Sequence, residues 1–298
     1  MEKKLYTIMG ATGNIGHVIA QDLIMNGHQV RAIGRNPKKL AQLKSLGAET
    51  ISLENFDDAD RLKEAFHKAD AVFCLIPPSI FAEDEGVYQD NVGQAIKIAL
   101  KKSKTPYIVN LSSFGAQIPE GTGPIAGLHR QEERLNSLSG VNILHLRPGY
   151  FMENLLTGIP SIKNTGAFSY CLRGNIPLEM VATIDIGKKA AEFLHRLDFT
   201  KQSIFEFIGP REVSFNEAIP ILGKEIGKPD LKYVEVTYDE TDKALLSIGM
   251  QPKTVALFRE MNTAFNEKQI KLTQKMTPDH RGKTTIGDFA KKFARAYQ

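Results

Sequence analysis

One stretch constrains this chain more than any other: Leu5-Tyr6-Thr7-Ile8-Met9 runs straight into the glycine turn Gly10-Ala11-Thr12-Gly13-Asn14-Ile15-Gly16. Gly10 permits a tight turn, Gly13 lets the backbone approach a pyrophosphate, and Gly16 lets the next helix pack closely on the strand. That helix starts inside the loop and carries Ile15, Val18, Ile19 and Leu23 on one face. Its first N–H groups and positive end would face the phosphates. Taken alone, the loop is only a glycine-rich turn, and its meaning depends on the chain downstream of it.

Strands are expected at Leu5–Met9, Gln29–Ile33, Thr50–Leu53, Ala71–Ile76, Tyr107–Leu111 and Asn142–Leu146, separated by amphipathic helices. Several are continuous apolar runs, which suits strands covered on both faces. Asn36-Pro37 opens the second helix and Gly47 follows it. Six β/α units predict an α/β chain built on a doubly wound parallel Rossmann sheet. After Gly149 the rhythm breaks into short strands at Phe168–Tyr170 and Glu179–Val181, a helix Asp185–His195 and a strand Ile204–Ile208. Ser214-Phe215-Asn216-Glu217 reads as a capping box opening a helix to Ile226. A strand at Lys232–Val236 and two or three helices complete the chain. The expected division is a Rossmann domain over 1–153, with its last sheet unit at 183–209. A smaller mixed α+β domain would occupy 154–298, for substrate or partner.

Composition excludes more than it assigns. The net charge of +4 over 298 residues is small and the basic residues are scattered, so no basic face for nucleic acid is expected. No apolar run approaches the roughly 20 residues of a membrane span. The first residues lack a secretory pattern, and Cys74 and Cys171 read as buried free thiols, so a cytoplasmic location is expected. The histidines form no metal spacing, and no metal is expected.

The end of the second strand selects the dinucleotide. An NAD-preferring site places Asp or Glu there for the ribose 2′-hydroxyl. Here the segment is Gly34-Arg35-Asn36-Pro37-Lys38-Lys39, with no carboxylate. Arg35 can meet a 2′-phosphate with a fork of charge-assisted bonds, and Lys39 adds a second charge. Cations at a helix start are otherwise mildly unfavourable, so NADP(H) is the expected cofactor. Its site is expected to comprise Gly10, Thr12, Gly13, Asn14, Ile15, Gly16, Arg35 and Lys39. Residues beyond later strands would join them: Asn55 and Phe56 near adenine, Ile76 and Pro77 as an apolar wall, and Ser112, Pro148, Gly149 and Tyr150 nearer the nicotinamide. Each of these later residues also reads as a turn or core position.

The glycine loop, Val30-Arg31-Ala32-Ile33-Gly34-Arg35-Asn36-Pro37 and Leu146-Arg147-Pro148-Gly149-Tyr150-Phe151-Met152-Glu153-Asn154 together resemble the NmrA-like branch of the atypical short-chain dehydrogenases/reductases. Thr183-Ile184-Asp185-Ile186-Gly187 and Phe205-Glu206-Phe207-Ile208-Gly209-Pro210 add to the resemblance, which weakens after about Gly227. It implies a Rossmann domain, a small carboxy-terminal domain and NADP(H) at the loop. Family members include NADPH-dependent quinone reductases, reductases of small aromatic compounds and regulators that sense cofactor without catalysis.

One departure bears on chemistry. The Tyr-x-x-x-Lys pair of the usual short-chain reductases is absent, and the helix after strand five reads Leu128-His129-Arg130-Gln131-Glu132-Glu133-Arg134-Leu135. His129 and Glu133 lie one turn apart, and the resemblance to quinone reductases extends to this His-x-x-x-Glu spacing. His129 can donate a proton near neutral pH, or it is a solvent-facing residue or a fixture orienting Glu133. A quinone yields a stabilised oxyanion and needs a general acid less than a ketone does. The expected function is therefore NADPH-dependent hydride transfer to a quinone or similar conjugated small molecule. The alternative is a non-catalytic NADP(H) sensor that signals to a protein partner.

Overall fold

The structure, a computed structural model, describes residues 3–298; the first two residues of the expected amino-terminal domain lie outside it. Its centre is a seven-stranded sheet. In chain order the strands are β1 (Leu5–Ile8), β2 (Gln29–Gly34), β3 (Glu49–Ser52), β4 (Ala71–Cys74), β5 (Tyr107–Leu111), β6 (Asn142–Pro148) and, after three short strands, β10 (Gln202–Phe207). Their spatial order is β10-β6-β5-β4-β1-β2-β3, and every pairing is parallel. This is a doubly wound Rossmann sheet, with its reversal between β1 and β4.

Two apolar cores explain why the strands read as continuous hydrophobic runs. On one face Tyr6, Ile8, Val109, Leu144 and Leu146 meet Ile15, Ile19 and Leu23 of α1 (Asn14–Met25), with Ile186, Ala190 and Leu194 of α7 (Thr183–Arg196). On the other, Val72, Cys74, Ile108 and Ile143 meet Leu62 and Phe66 of α3 (Ala59–Phe66), Val92 and Ile96 of α4 (Glu85–Ser103) and Leu135 of α5 (Pro124–Asn136). Successive residues of a strand therefore serve opposite cores. Thr7 is the polar exception in β1, and its buried hydroxyl donates to the Ala65 carbonyl at 2.9 Å. The helix α2 (Pro37–Ser45) starts as its Asn-Pro pair predicts, with the Asn36 side chain accepting from Lys39 N.

β4 ends at Cys74, two residues before the expected Ile76. Backbone before a proline is steered away from helix and Pro77 and Pro78 offer no N–H for a ladder, so Leu75 and Ile76 leave the sheet and turn toward the site. β6 runs on to Pro148, where Gly149 N donates to the Phe207 carbonyl.

A third core lies beyond the carboxyl edge of the sheet. It is built from Leu155, Phe168, Leu178, Phe215, Ile219, Phe289 and Phe293, among others. The short strands here are β7 (Tyr150–Phe151), β8 (Phe168–Tyr170), β9 (Met180–Val181) and β11 (Tyr233–Glu235). Its helices are α6 (Ile159–Thr165), α8 (Phe215–Glu225), α9 (Tyr238–Ser247), α10 (Pro252–Asn266) and α11 (Ile286–Tyr297). The Ser214–Glu217 capping box is formed as the sequence predicts. One helix reaches back: Ala264 of α10, with Ile270 just after it, packs on Phe114, Ala116 and Ile125 beside α5. No described helix is long and apolar enough to cross a membrane.

Candidate functional site

A trough of about 500 Å³ lies over the carboxyl ends of the strands, floored by the β1–α1 loop. Gly10 has φ +64°, in the left-handed region where a side chain is strained. A Cβ on Gly16 would come within 2.4 Å of the Gly10 carbonyl oxygen, so helix and loop approach as closely as only glycine allows. The α1 amino terminus has no side-chain cap and no acidic residue in its first turn. Its free N–H groups and positive end are thus left for an anion.

Gly10, Thr12, Gly13, Asn14, Ile15 and Gly16 all line this trough, and so do Arg35 and Lys39. The Lys39 ammonium donates to the Thr12 carbonyl at 3.2 Å, tying the two cofactor segments together. Arg35 is exposed and forms no ion pair among the described residues. Among the described residues Glu153 is the only carboxylate in the lining. It is held by Thr183 N at 3.0 Å, by the Thr183 hydroxyl and by the Lys292 ammonium of α11 at 2.8 Å. Among the described residues of the lining, the end carrying Arg35 and Lys39 therefore has no acid to meet a ribose hydroxyl. An uncapped helix start over a side-chain-free cradle fits a dinucleotide.

A second cavity, of about 350 Å³, adjoins the trough. The two spaces share Leu75, Pro78, Leu111, Phe151 and Asn154 as walls. Its lining is mostly apolar, including Ile80, Phe114, Leu128 and, from α10, Phe258, Met261 and Phe265. Tyr150 also lines it, edge-on to Phe215 and Phe265; burial pushes its phenol well above the usual range, partly offset by a hydrogen bond with the Asn154 side chain. Ser112 lines the cavity too, but its hydroxyl donates to Glu132. Glu132 in turn is bound by Arg147 through Nε at 2.9 Å and Nη2 at 2.5 Å, each side chain 5% exposed. The two-point fork meets the demand that a buried charge be paired and hydrogen-bonded.

The remaining expected residues fall in different places. Phe56 and Pro77 line the trough, whereas Ile76, Ser112, Gly149 and Tyr150 line the second cavity. Asn55 borders a separate surface hollow with Asp57, Asp58 and Arg61. Pro148 is buried and its carbonyl accepts from Phe114 N at 2.9 Å, so it borders neither space. His129 and Glu133 border neither space either. The His129 ring is hydrogen-bonded to the Ala116 carbonyl at 2.9 Å, and Glu133 is exposed. It is the neighbouring Glu132 that turns inward. Its spacing from Leu128 and Leu135 puts all three on one helix face, a signal that the His-x-x-x-Glu spacing obscures.

Phe151, Glu153, Asn154, Thr183, Glu85 and Gln89 also border these spaces, and sequence reasoning does not single them out. The first four lie inside the family-like segments Leu146–Asn154 and Thr183–Gly187, where no chemistry marks them from their neighbours. Glu85 and Gln89 face the second cavity from the start of α4. Nothing in the sequence points to Phe258, Met261 and Phe265, which reach the cavity from more than 100 residues away.

A family model described as NAD(P)H-binding matches residues 10–184. Over 292 residues the chain is 24% identical to the NAD(P)H azoreductase of Xenophilus azovorans, covering 97% of this chain and 98% of the relative. Among solved structures it resembles the NADPH-dependent quinone oxidoreductase QOR2 of Escherichia coli, complexed with NADPH, at TM-score 0.77 and 20% identity over 96% of this chain and 99% of that one. It also resembles NmrA, a negative transcriptional regulator in complex with NAD, at TM-score 0.69 and 15% identity over 100% and 93%.

Proposed function

Because this chain belongs to the NAD(P)H-binding family, in its NmrA-like branch, we propose that it is an NADPH-dependent reductase passing a hydride to a conjugated small molecule, a quinone or similar acceptor. The observation that carries this reading is the shared wall: an apolar cavity of small-molecule size opens beside the dinucleotide trough across Leu75, Leu111, Phe151 and Asn154. The names of the azoreductase and quinone oxidoreductase relatives support it.

The bound cofactor supplies the hydride, and the protein's part is to hold and orient the reactants. The α1 amino terminus and the glycine loop would hold the pyrophosphate, with Arg35 and Lys39 on a 2′-phosphate. The apolar walls from α5 and α10 would exclude water and press a planar acceptor toward the trough. The Ser112 hydroxyl, turned to Glu132, is not free to protonate a substrate oxygen. That suits an acceptor whose reduced oxyanion is already stabilised and disfavours a simple ketone.

The sensor reading draws on the fold likeness to NmrA and on the missing Tyr-x-x-x-Lys pair. A cavity walled by three helices has no part in cofactor sensing alone, and this ranks the reductase first. The test is NADPH oxidation by purified protein with a panel of quinones and simple ketones, repeated with NADH. Turnover with quinones and NADPH, but not with ketones, is expected. Silence across the panel with NADPH binding intact would favour the sensor.

A further inference from the structure

Four carboxylates are buried among the described residues, and one differs from the rest. Glu132 is bound by Arg147 and Ser112. Glu206 accepts from Thr273 N, the Thr273 hydroxyl and Gln274 N. Asp185 accepts from Thr284 N and the Thr284 hydroxyl. Glu85 is 2% exposed, yet its two oxygens share a single donor, Ser79 N–H, at 3.3 and 3.2 Å. No Lys, Arg or His among the described residues pairs with it, and burial pushes its carboxyl above the usual range. A buried charge so thinly compensated is costly unless something else meets it.

Glu85 lines the cavity beside the trough but not the trough itself, and its carboxylate is held at the residue that follows the shared wall Pro78. Several polar hydrogens of the lining are engaged elsewhere. Gln89 donates one amide N–H to the Pro124 carbonyl at 3.1 Å. The Ser113 hydroxyl donates to the Phe114 carbonyl at 3.0 Å. The Ser112 proton goes to Glu132. Asn154, which can donate, is shared with the trough, and Tyr150 lines the cavity alone. The cavity thus holds one lone carboxylate in a mostly apolar lining, where several neighbouring polar hydrogens are already engaged.

We infer that Glu85 is the counter-ion for the acceptor: the cavity selects a conjugated molecule that carries a positively charged nitrogen, seated on the Glu85 carboxylate. This rests on reading the cavity as the acceptor's place. It makes Glu85 a determinant of specificity. A neutral quinone would fill the apolar walls but leave the carboxylate unanswered.

The test is calorimetric binding to the NADP⁺-loaded protein of two aromatic probes matched in size, 1-naphthylmethylammonium and neutral 1-naphthylmethanol. The cation is expected to bind about tenfold tighter or more, the scale of a hydrogen-bonded charge in a desolvated site. Glu85→Gln keeps the shape and the Ser79 bond, and should erase that preference with little change for the alcohol. Glu85→Asp, which retains the charge, should keep part of it. Equal binding of the two probes by the wild-type protein would overturn the inference, with no variant needed. So would a preference that survives Glu85→Gln. Quinone turnover on the same preparation separates the two readings: turnover without cation preference removes only this inference. Cation preference without turnover of any acceptor retains the charged site and removes the reductase.

Discussion

The trough and the cavity beside it are built by opposite means. The trough's floor is made by backbone: a glycine loop, a bare helix start and two cations delivered by the next turn, all within residues 10–39, with side-chain walls added by later strands. The cavity is made by side chains from β4 onward, α4, α5, the β6 exit and α10, and a buried ion pair stands behind its wall, holding Ser112. Backbone recognition of a pyrophosphate tolerates change in most side chains but almost none in the glycines. A side-chain cavity tolerates a shift in any one wall, yet depends on the pairs that fix those walls. On the proposed reading, the cofactor end would be rigid in chemistry, and the acceptor end would be where specificity is set.

The comparison can be broken first at the ion pair. Arg147→Met leaves Glu132 charged and buried, and should cost about 3–5 kcal/mol of stability in denaturant unfolding. If the fold survives, acceptor KM should rise while NADPH affinity stays nearly unchanged. A matched loss of both would mean that the two regions are not separable. Gly16→Val acts on the other region. Its Cβ would meet the Gly10 carbonyl at 2.4 Å, and NADPH affinity by cofactor fluorescence should fall about 100-fold, equivalent to about 2.7 kcal/mol.

Arg35→Ala is a finer cut. It should weaken NADPH about tenfold and leave NADH alone, since only the 2′-phosphate takes the guanidinium fork. Equal weakening of both cofactors would remove Arg35 from the phosphate.

Glu85 gives a pH-dependent test. Its folded-state carboxyl lies above its ordinary value of 4.5 because of burial. Its contribution to stability is therefore present below that value and lost as pH rises through the raised one. The ligand-free Glu85→Gln protein should melt higher than wild type at neutral pH, with the gap closing on acidification below about 4.5. A gap independent of pH would mean that the carboxyl is not desolvated. The smallest effect is expected of His129→Ala combined with Glu133→Ala, which should leave kcat/KM within about twofold, as for substitutions remote from a site.

How much of the molecule is legible in its sequence follows from the same contrast. Residues 10–16 and 35–39 can be read because each acts through local chemistry: turn conformation, helix start and charge at a known offset from a strand. The sheet is legible because continuous apolar runs such as Ala71–Cys74 have few other homes. The cavity is not, because Phe258, Met261 and Phe265 come to it through the packing of α10 on α5. Glu132 is hidden behind Glu133 when a motif spacing is weighed above helical phase. Asn55 is placed near adenine by topology alone, and the turn after β3 carries its side chain to another hollow.

The central claim is that trough and cavity form one site for hydride transfer. It is tested most directly by rapid mixing of the NADPH-loaded protein with a quinone, using NADPH deuterated at one or the other C4 face. The account predicts loss of nicotinamide absorbance faster than for free NADPH, slowed by deuterium on one face only. Oxidation no faster than in buffer, or indifferent to deuterium on either face while NADPH is bound, would contradict it.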